Sequence, residues 1–435
     1  MKRSVWIIIM LSLVFIYGQP LYALNDKDPL DGESLYEDVL HYSILGEHRT
    51  ATPKDMVTGI WIGNRLKQAG YKVQKQDWTT RQFYPRRTEV IIGKNLKLAG
   101  FPVWWPKPTS PQGVQAEMTD DINDANGKIY LFINVTAATF SVTPVVVNEI
   151  DTAYRNGAVA VVMVTYYEGT DSIPSDEFIG LNAIQETQDE LPIPVVSAMA
   201  KDRHALDEAI MNHSTVKVVS TGVYKNQAQA FNVIGTLDRG PGSKVMVVTT
   251  PCSGWFTCAG ERGAGVAIFL GLAEWAARTT SNTSWIFAAT SGHEIDSLGL
   301  INYMESDFVP RPEEVFAWTH IGAWQAMYNY VAEDGRLYPT DKMDFRLFQV
   351  VGQQLRGAVT ANFADPALNL RIVPAIVYGD LLGVIQYGYT NLMGISYGHE
   401  FHHSTEDLPY VTGSELLEPV ARAYKGTFEM IIDEH

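Results

Sequence analysis

Only two of the 435 residues are cysteines, Cys252 and Cys258, too few for a disulfide scaffold and too few sulfur donors for a zinc ribbon. An oxidising compartment would permit a bridge between them, and spacing alone leaves that open. Basic residues are also scarce: 33 Lys and Arg face 49 Asp and Glu, for a formal charge of −16. No basic stripe offsets that surface, so nucleic-acid binding is not expected. Beyond the N-terminus no apolar run is long enough to span a bilayer, which needs ~20 residues. The first residues are the exception in texture. Lys2 and Arg3 precede an apolar run over residues 5–17, Gln19-Pro20 breaks it, and Leu21-Tyr22-Ala23 ends on a small residue. This reads as a secretory leader over residues 1–23. No cysteine at the cut offers a lipid anchor, and the mature chain is expected in the periplasm or outside the cell.

What is present is a globular composition, 46% hydrophobic and 19% charged. The mature length suits two domains. Thr52-Pro53 predicts a helix start, with Met56, Ile60 and Leu66 as its apolar stripe and Gly70 as its stop. Strands are expected at 71–78 and 88–92, and a turn-rich stretch at 100–126 marks a boundary. After it, strands at 128–132, 157–162, 193–196 and 216–219 alternate with helices at 147–156 and around Leu206 and Ile210. From residue 231 a mainly parallel sheet flanked by helices is expected, an α/β fold with strands at 245–249, 285–289, 315–319 and 392–395. Its helices fall at 263–277 and 414–431, the second with Ser414 as cap. Five of the ten histidines lie between His293 and His403, beside acidic residues and just after strand ends, where open α/β sheets bind ligands.

Two family resemblances follow. The pattern of residues 97–225, with Gly127-Lys128-Ile129, Gly157-Ala158 before a valine-rich strand, and Ile193-Pro194-Val195-Val196, resembles the protease-associated domain, a lid or substrate-binding module. The flanking segments 24–96 and 226–435 would then form one catalytic domain. Asn232-Val233-Ile234-Gly235-Thr236-Leu237, Gly260-Glu261-Arg262-Gly263-Ala264-Gly265, Gly292-His293-Glu294, Thr319-His320-Ile321-Gly322 and His403-Ser404-Thr405-Glu406-Asp407 resemble, in order, the landmarks of the zinc exopeptidases. That family includes aminopeptidases, glutamate carboxypeptidases and glutaminyl cyclases.

The resemblance implies a metal-dependent hydrolase, and the departures from it reshape the metal site. A histidine ligand is replaced at Thr250, the bridging aspartate by Glu261, the base glutamate by His293 and a second aspartate by His320, while Glu294 and His403 keep the family's residue types. Glu261, His320 and His403 would hold one divalent ion, most simply zinc, with Glu294 as a fourth ligand or water holder. The glutaminyl-cyclase pattern selects Glu261, Glu294 and His403 instead. His293 or Glu294 would be the base. Arg262, Trp255, Trp324 and Asp380 are expected to line the pocket for a peptide or small-molecule substrate. His399-Glu400-Phe401-His402-His403 also satisfies H-E-x-x-H, but that chemistry needs a helix, and the flanking Gly398 and Pro409 argue against one. The alternatives are a binding protein without turnover, or acyl transfer or cyclisation in the same cleft.

Overall fold

The computed structural model describes residues 27–433 apart from 137–142, 168–177, 184–188 and 334–335. The expected leader therefore lies outside the described residues. Among the described residues no helix is long and apolar enough to cross a membrane.

The centre of the sheet is parallel. Strands Leu392–Ser396, Val315–His320, Lys244–Pro251 and Thr283–Thr290 lie side by side in that order. Arg346–Val351 runs antiparallel on one side, and Thr215–Leu237 on the other. Residues alternate between two cores, as a sheet covered on both faces requires. Met246 and Val248 pack beneath the helices Gly32–Leu45, Ala264–Arg278 and Ser414–Asp433, whereas Val247 and Trp318 meet Leu298–Met304 and Leu381–Gln386. Ala264–Arg278 is buried along almost its whole length, in keeping with its Ala, Leu, Val and Phe content. Gly394 permits a close approach inside the sheet: a Cβ there would sit 2.2 Å from the His320 carbonyl oxygen.

The helix Pro53–Gln68 begins as its sequence predicts, with the Thr52 side chain accepting from the Asp55 N–H. Its buried face differs from the expected one. Ile62 and Leu66 are buried, whereas Ile60 is 54% exposed, and it is Gly59 that faces Phe231 of the sheet. Ser414 begins Ser414–Asp433, and its hydroxyl donates to Glu33.

The expected short strands at 71–78 and 88–92 are one strand, Lys72–Ile92, which pairs antiparallel with Thr215–Leu237 from Ile92↔Val216 to Lys72↔Thr236. Register shifts at Thr80/Gln82 and Pro85/Arg87 accommodate Pro85, whose missing N–H would interrupt a regular ladder. This ribbon carries the chain into a second sheet. Val114–Thr119, Ile129–Thr136, Ala160–Tyr167 and Val195–Ala198 are parallel to one another, with Phe101–Pro102 antiparallel at the end. Pro144–Arg155 and Arg203–Met211 pack on that sheet. The expected boundary at residue 225 thus falls inside a continuous strand.

Candidate functional site

The chemistry gathers at the carboxyl ends of the parallel strands. His320 is the last residue of Val315–His320, His293 follows Thr283–Thr290, and residues 399–403 follow Leu392–Ser396. Glu261 and Arg262 lie in a π-helical turn, Ala259–Gly263, that opens Ala264–Arg278. Asp407 holds this turn by accepting from the Gly260 and Glu261 N–H groups at 2.7 and 2.9 Å. Cys258, Asp296, Ser297, Trp324 and His403 all have positive φ, a cost for side-chain-bearing residues that concentrates at functional sites.

Two half-sites result. In the first, Glu261 Oε1 lies 3.3 Å from His403 Nε2 and 4.0 Å from His402 Nε2. His403 Nδ1 is 3.1 Å from the Gly180 carbonyl, which can only accept, so Nδ1 carries the proton and Nε2 faces Glu261. A metal-binding histidine is oriented in the same way. The indole N–H of Trp324 donates to His402 Nδ1, so a neutral His402 keeps its proton on Nε2. Arg262 completes this half. Its Nη2 lies 2.6 Å from Glu261 Oε1, and both side chains are essentially inaccessible to solvent. Burial alone would raise the Glu261 carboxyl, but Arg262 and then His403 and His402 hold it well below its usual range.

In the second half-site, Asp380 Oδ1 is 2.9 Å from His293 Nδ1 and also accepts from the Ser297 hydroxyl. Oδ2 lies 3.6 Å from His320 Nε2. Burial pushes the Asp380 carboxyl upward, and the charge and hydrogen bond of His293, with His320 and Ser297, more than offset it. The ionised carboxylate takes the proton side of His293, leaving Nε2 as an acceptor. His293 is 20% exposed at its side chain, while Asp380 beneath it is 2% exposed. Thr249 Oγ1 accepts from the Trp318 indole and lies 3.0 Å from His320 Nδ1. Burial lowers the His320 pKa to about 4, so this ring is neutral near pH 7.

These contacts place several of the expected site residues differently from the sequence expectation. His320 is turned onto Asp380 and Thr249, not onto Glu261, because a second carboxylate and a hydroxyl stand on either side of its ring. Glu294 also stands apart from the Glu261 group. Its carboxylate accepts from the Thr50 N–H and from the Ser253 hydroxyl at 2.8 Å. Ser253 Oγ in turn accepts from the Gly292 N–H at 2.7 Å, so Glu294 shapes the turn that presents His293. Trp255 is not an exposed aromatic cap: it is buried against Phe101 and Trp104, and its indole N–H donates to Asn182. Asp380 contacts His293, His320 and Ser297, and Arg262 pairs with Glu261. Thr250, in the vacated histidine position, donates its hydroxyl to the Ile321 carbonyl. Cys252 and Cys258 are both buried and unbridged.

Residues 399–403 do not form a helix, which removes the H-E-x-x-H geometry. His399 lies near Asp344 and Glu400, but its Nε2 faces the Tyr328 carbonyl at 3.1 Å and its Nδ1 accepts from the Phe401 N–H. Both ring nitrogens are thus engaged by the chain. His402, Ser297 and Asp407 are the contributors that sequence reasoning did not assign to the site. The His402-His403 doublet is a signal for the first, and the landmark that runs from His403 to Asp407 is one for the last.

No family model matches the chain, and no curated protein matches it in sequence. Solved structures match it in fold. BSAP, a zinc aminopeptidase from Bacillus subtilis, is 15% identical at a TM-score of 0.69, over 92% of this chain and 95% of that one. A peptidase M28 precursor from Shewanella amazonensis SB2B is 14% identical at a TM-score of 0.71, over 92% of each chain. An aminopeptidase from Aneurinibacillus sp. strain AM-1 is 16% identical at 0.63, over 92% and 93%. The fold of this chain is therefore the zinc-exopeptidase α/β fold, with a mixed, mainly parallel sheet flanked by helices.

Proposed function

We propose that the chain is an exported hydrolase of peptide or related amide bonds, in which His293 is the base. The carrying observation is the His293–Asp380 pair at the strand ends, its Nδ1 committed to the carboxylate and its Nε2 left to accept a proton. His293 Nε2 takes a proton from the attacking water as the water oxygen bonds to the carbonyl carbon. The same proton then passes to the leaving nitrogen as the C–N bond breaks. Asp380 fixes the tautomer and stabilises the imidazolium between these steps. Glu294, through Ser253, holds the turn that carries His293.

The fit of one divalent ion rests on donor chemistry. Ligand atoms of Glu261, His402 and His403 lie within 4.8 Å of one another, and Glu261 and His403 offer a carboxylate oxygen and an imidazole nitrogen of the kinds that zinc takes. Among the described residues no hydroxyl or amide donates to the Glu261 carboxylate. Glu261 and His403 are the primary donors, because Trp324 commits Nδ1 of His402. An ion held there would supply Lewis-acid polarisation of the scissile carbonyl. Residues 97–225 are read as a protease-associated insert covering the site, supported by the Gly180 carbonyl at His403 and by the Ala183 N–H, which donates to the Glu294 carbonyl. The substrate would be a peptide or small amide.

A binding protein without turnover is the second reading, favoured by the enclosure of Glu261 and Arg262. Screening the zinc-loaded protein against amide, peptide and ester substrates separates the two. Turnover that disappears in His293→Ala supports the hydrolase. Absence of turnover across the panel, with one of its compounds bound, supports the binder.

A further inference from the structure

We propose that Arg262 and a divalent cation are alternative counter-ions of Glu261, so that the guanidinium competes with the metal for the site. The inference rests on the reading of Glu261 and His403 as a metal site. It begins from the position of one oxygen. Glu261 Oε1 is 2.6 Å from Arg262 Nη2 and 3.3 Å from His403 Nε2. A zinc ion bonded to that oxygen and that nitrogen lies ~2.0–2.2 Å from each. The same small volume then has to hold the ion and the guanidinium head, two cations with no water between them. Like charges at such separation inside a protein repel strongly. One of them must leave when the other binds.

Burial makes the competition obligatory. Glu261 is 0% exposed, and an ionised carboxylate so placed requires a cation beside it. Arg262 supplies that cation in this structure, and it has somewhere to go. Its Nε donates to the Ser253 carbonyl at 3.2 Å, which anchors the stem, while Nη1 is buried without a hydrogen-bond partner. The Asp380 carboxylate is close enough for its charge to act on the guanidinium. Rotation about the anchored stem would turn the guanidinium away from Glu261 and free Oε1.

The test is a zinc titration of the metal-stripped full chain, read by calorimetry and by the zinc-dependent shift in Tm. Arg262→Met, which keeps the side-chain bulk without its charge, is expected to bind one zinc at least ~10-fold more tightly than the wild type, the extra affinity vanishing in Arg262→Met/His403→Ala. If Arg262→Met does not fold, Arg262→Gln carries the same comparison, since it also removes the guanidinium while its amide nitrogen takes the place of Nε at the Ser253 carbonyl. Equal zinc affinity in wild type and variant overturns the competition and leaves the metal site standing. A gain that survives His403→Ala also overturns it, because the ion is then bound elsewhere. If neither wild type nor variant binds zinc, the competition and the metal site fail together, and the role of His293 is judged separately by its effect on turnover.

Discussion

His293 Nδ1 lies 2.9 Å from Asp380 Oδ1, joining a ring that is 20% exposed to a carboxylate that is 2% exposed. In the proposed hydrolase the pair would divide the labour of a base between a proton acceptor and the group that orients it. His293→Ala is expected to reduce kcat on the substrate found by screening by ~10²–10⁴-fold, with fold and zinc content retained. Asp380→Asn should reduce it comparably, because an amide can stabilise the wrong tautomer and cannot balance the imidazolium. Turnover unchanged in His293→Ala would move the base elsewhere.

The two buried histidines at the site are expected to differ in their effect on metal. His403 faces Glu261, whereas His320 faces Asp380. At saturating zinc, His403→Ala should lose the bound ion and the stabilisation it confers, ~2.7 kcal/mol at a hundredfold excess over Kd. His320→Ala should retain close to one zinc per chain by elemental analysis. Loss of zinc in both variants would return His320 to the ligand set.

These differences show where the sequence was informative. Order and spacing of the motifs around Glu261, His293 and His403 placed them at strand ends, because a parallel sheet delivers its loops to one edge. Side-chain direction was not legible. Whether His320 turns to Glu261 or to Asp380 depends on Thr249, on the neighbouring strand, whose hydroxyl accepts from Trp318 on His320's own strand. Glu294 kept its residue type but not its partner, since Thr50 and Ser253 reach its carboxylate from distant segments. The long ribbon shows in the sequence as separate strands because Lys72–Ile92 passes from one hydrophobic core to another and is interrupted by bulges near Pro85. Alternation in a short window does not report a strand that changes the core it serves. Nothing in the sequence around Trp255 reports its burial, which comes from Phe101 and Trp104, far away in the chain.

Residues 94–214 leave and rejoin the ribbon at one place, where the Gly93 N–H donates to the Thr215 carbonyl at 2.8 Å. Replacing residues 94–214 with a short turn should therefore leave the paired ribbon closed and the main sheet folded. The shortened protein loses the Gly180 carbonyl that orients His403. Its zinc affinity is expected to fall ~10–100-fold, the usual consequence of removing such a partner. Circular dichroism and zinc titration check the two halves. Undiminished zinc affinity would show that the insert does not orient His403, and a chain that fails to fold would show that the second sheet is needed for the first.

The final prediction concerns Asp55, beneath the turn that carries His293. Its Oδ2 accepts from the Ala51 N–H at 2.8 Å and from the Ser291 hydroxyl at 2.9 Å. Burial, and next the charge of Glu294, outweigh these bonds and push its pKa up to about 8. In the unfolded chain the same group titrates near ~3.9. The folded protein therefore keeps a proton that the unfolded chain releases, and stability contributed by this group is full below about pH 4. It declines as pH rises towards 8 and is lost above that, at a slope of at most ~1.4 kcal/mol per pH unit. Asp55→Asn preserves an acceptor for Ala51 and Ser291 while removing the titration. The variant should gain on the wild type as pH rises, melting several degrees higher at pH 8.5 and with a smaller advantage at pH 5. Thermal unfolding of both proteins across pH 4–9 measures the gap, and a gap that does not widen with pH would exclude Asp55 as its source.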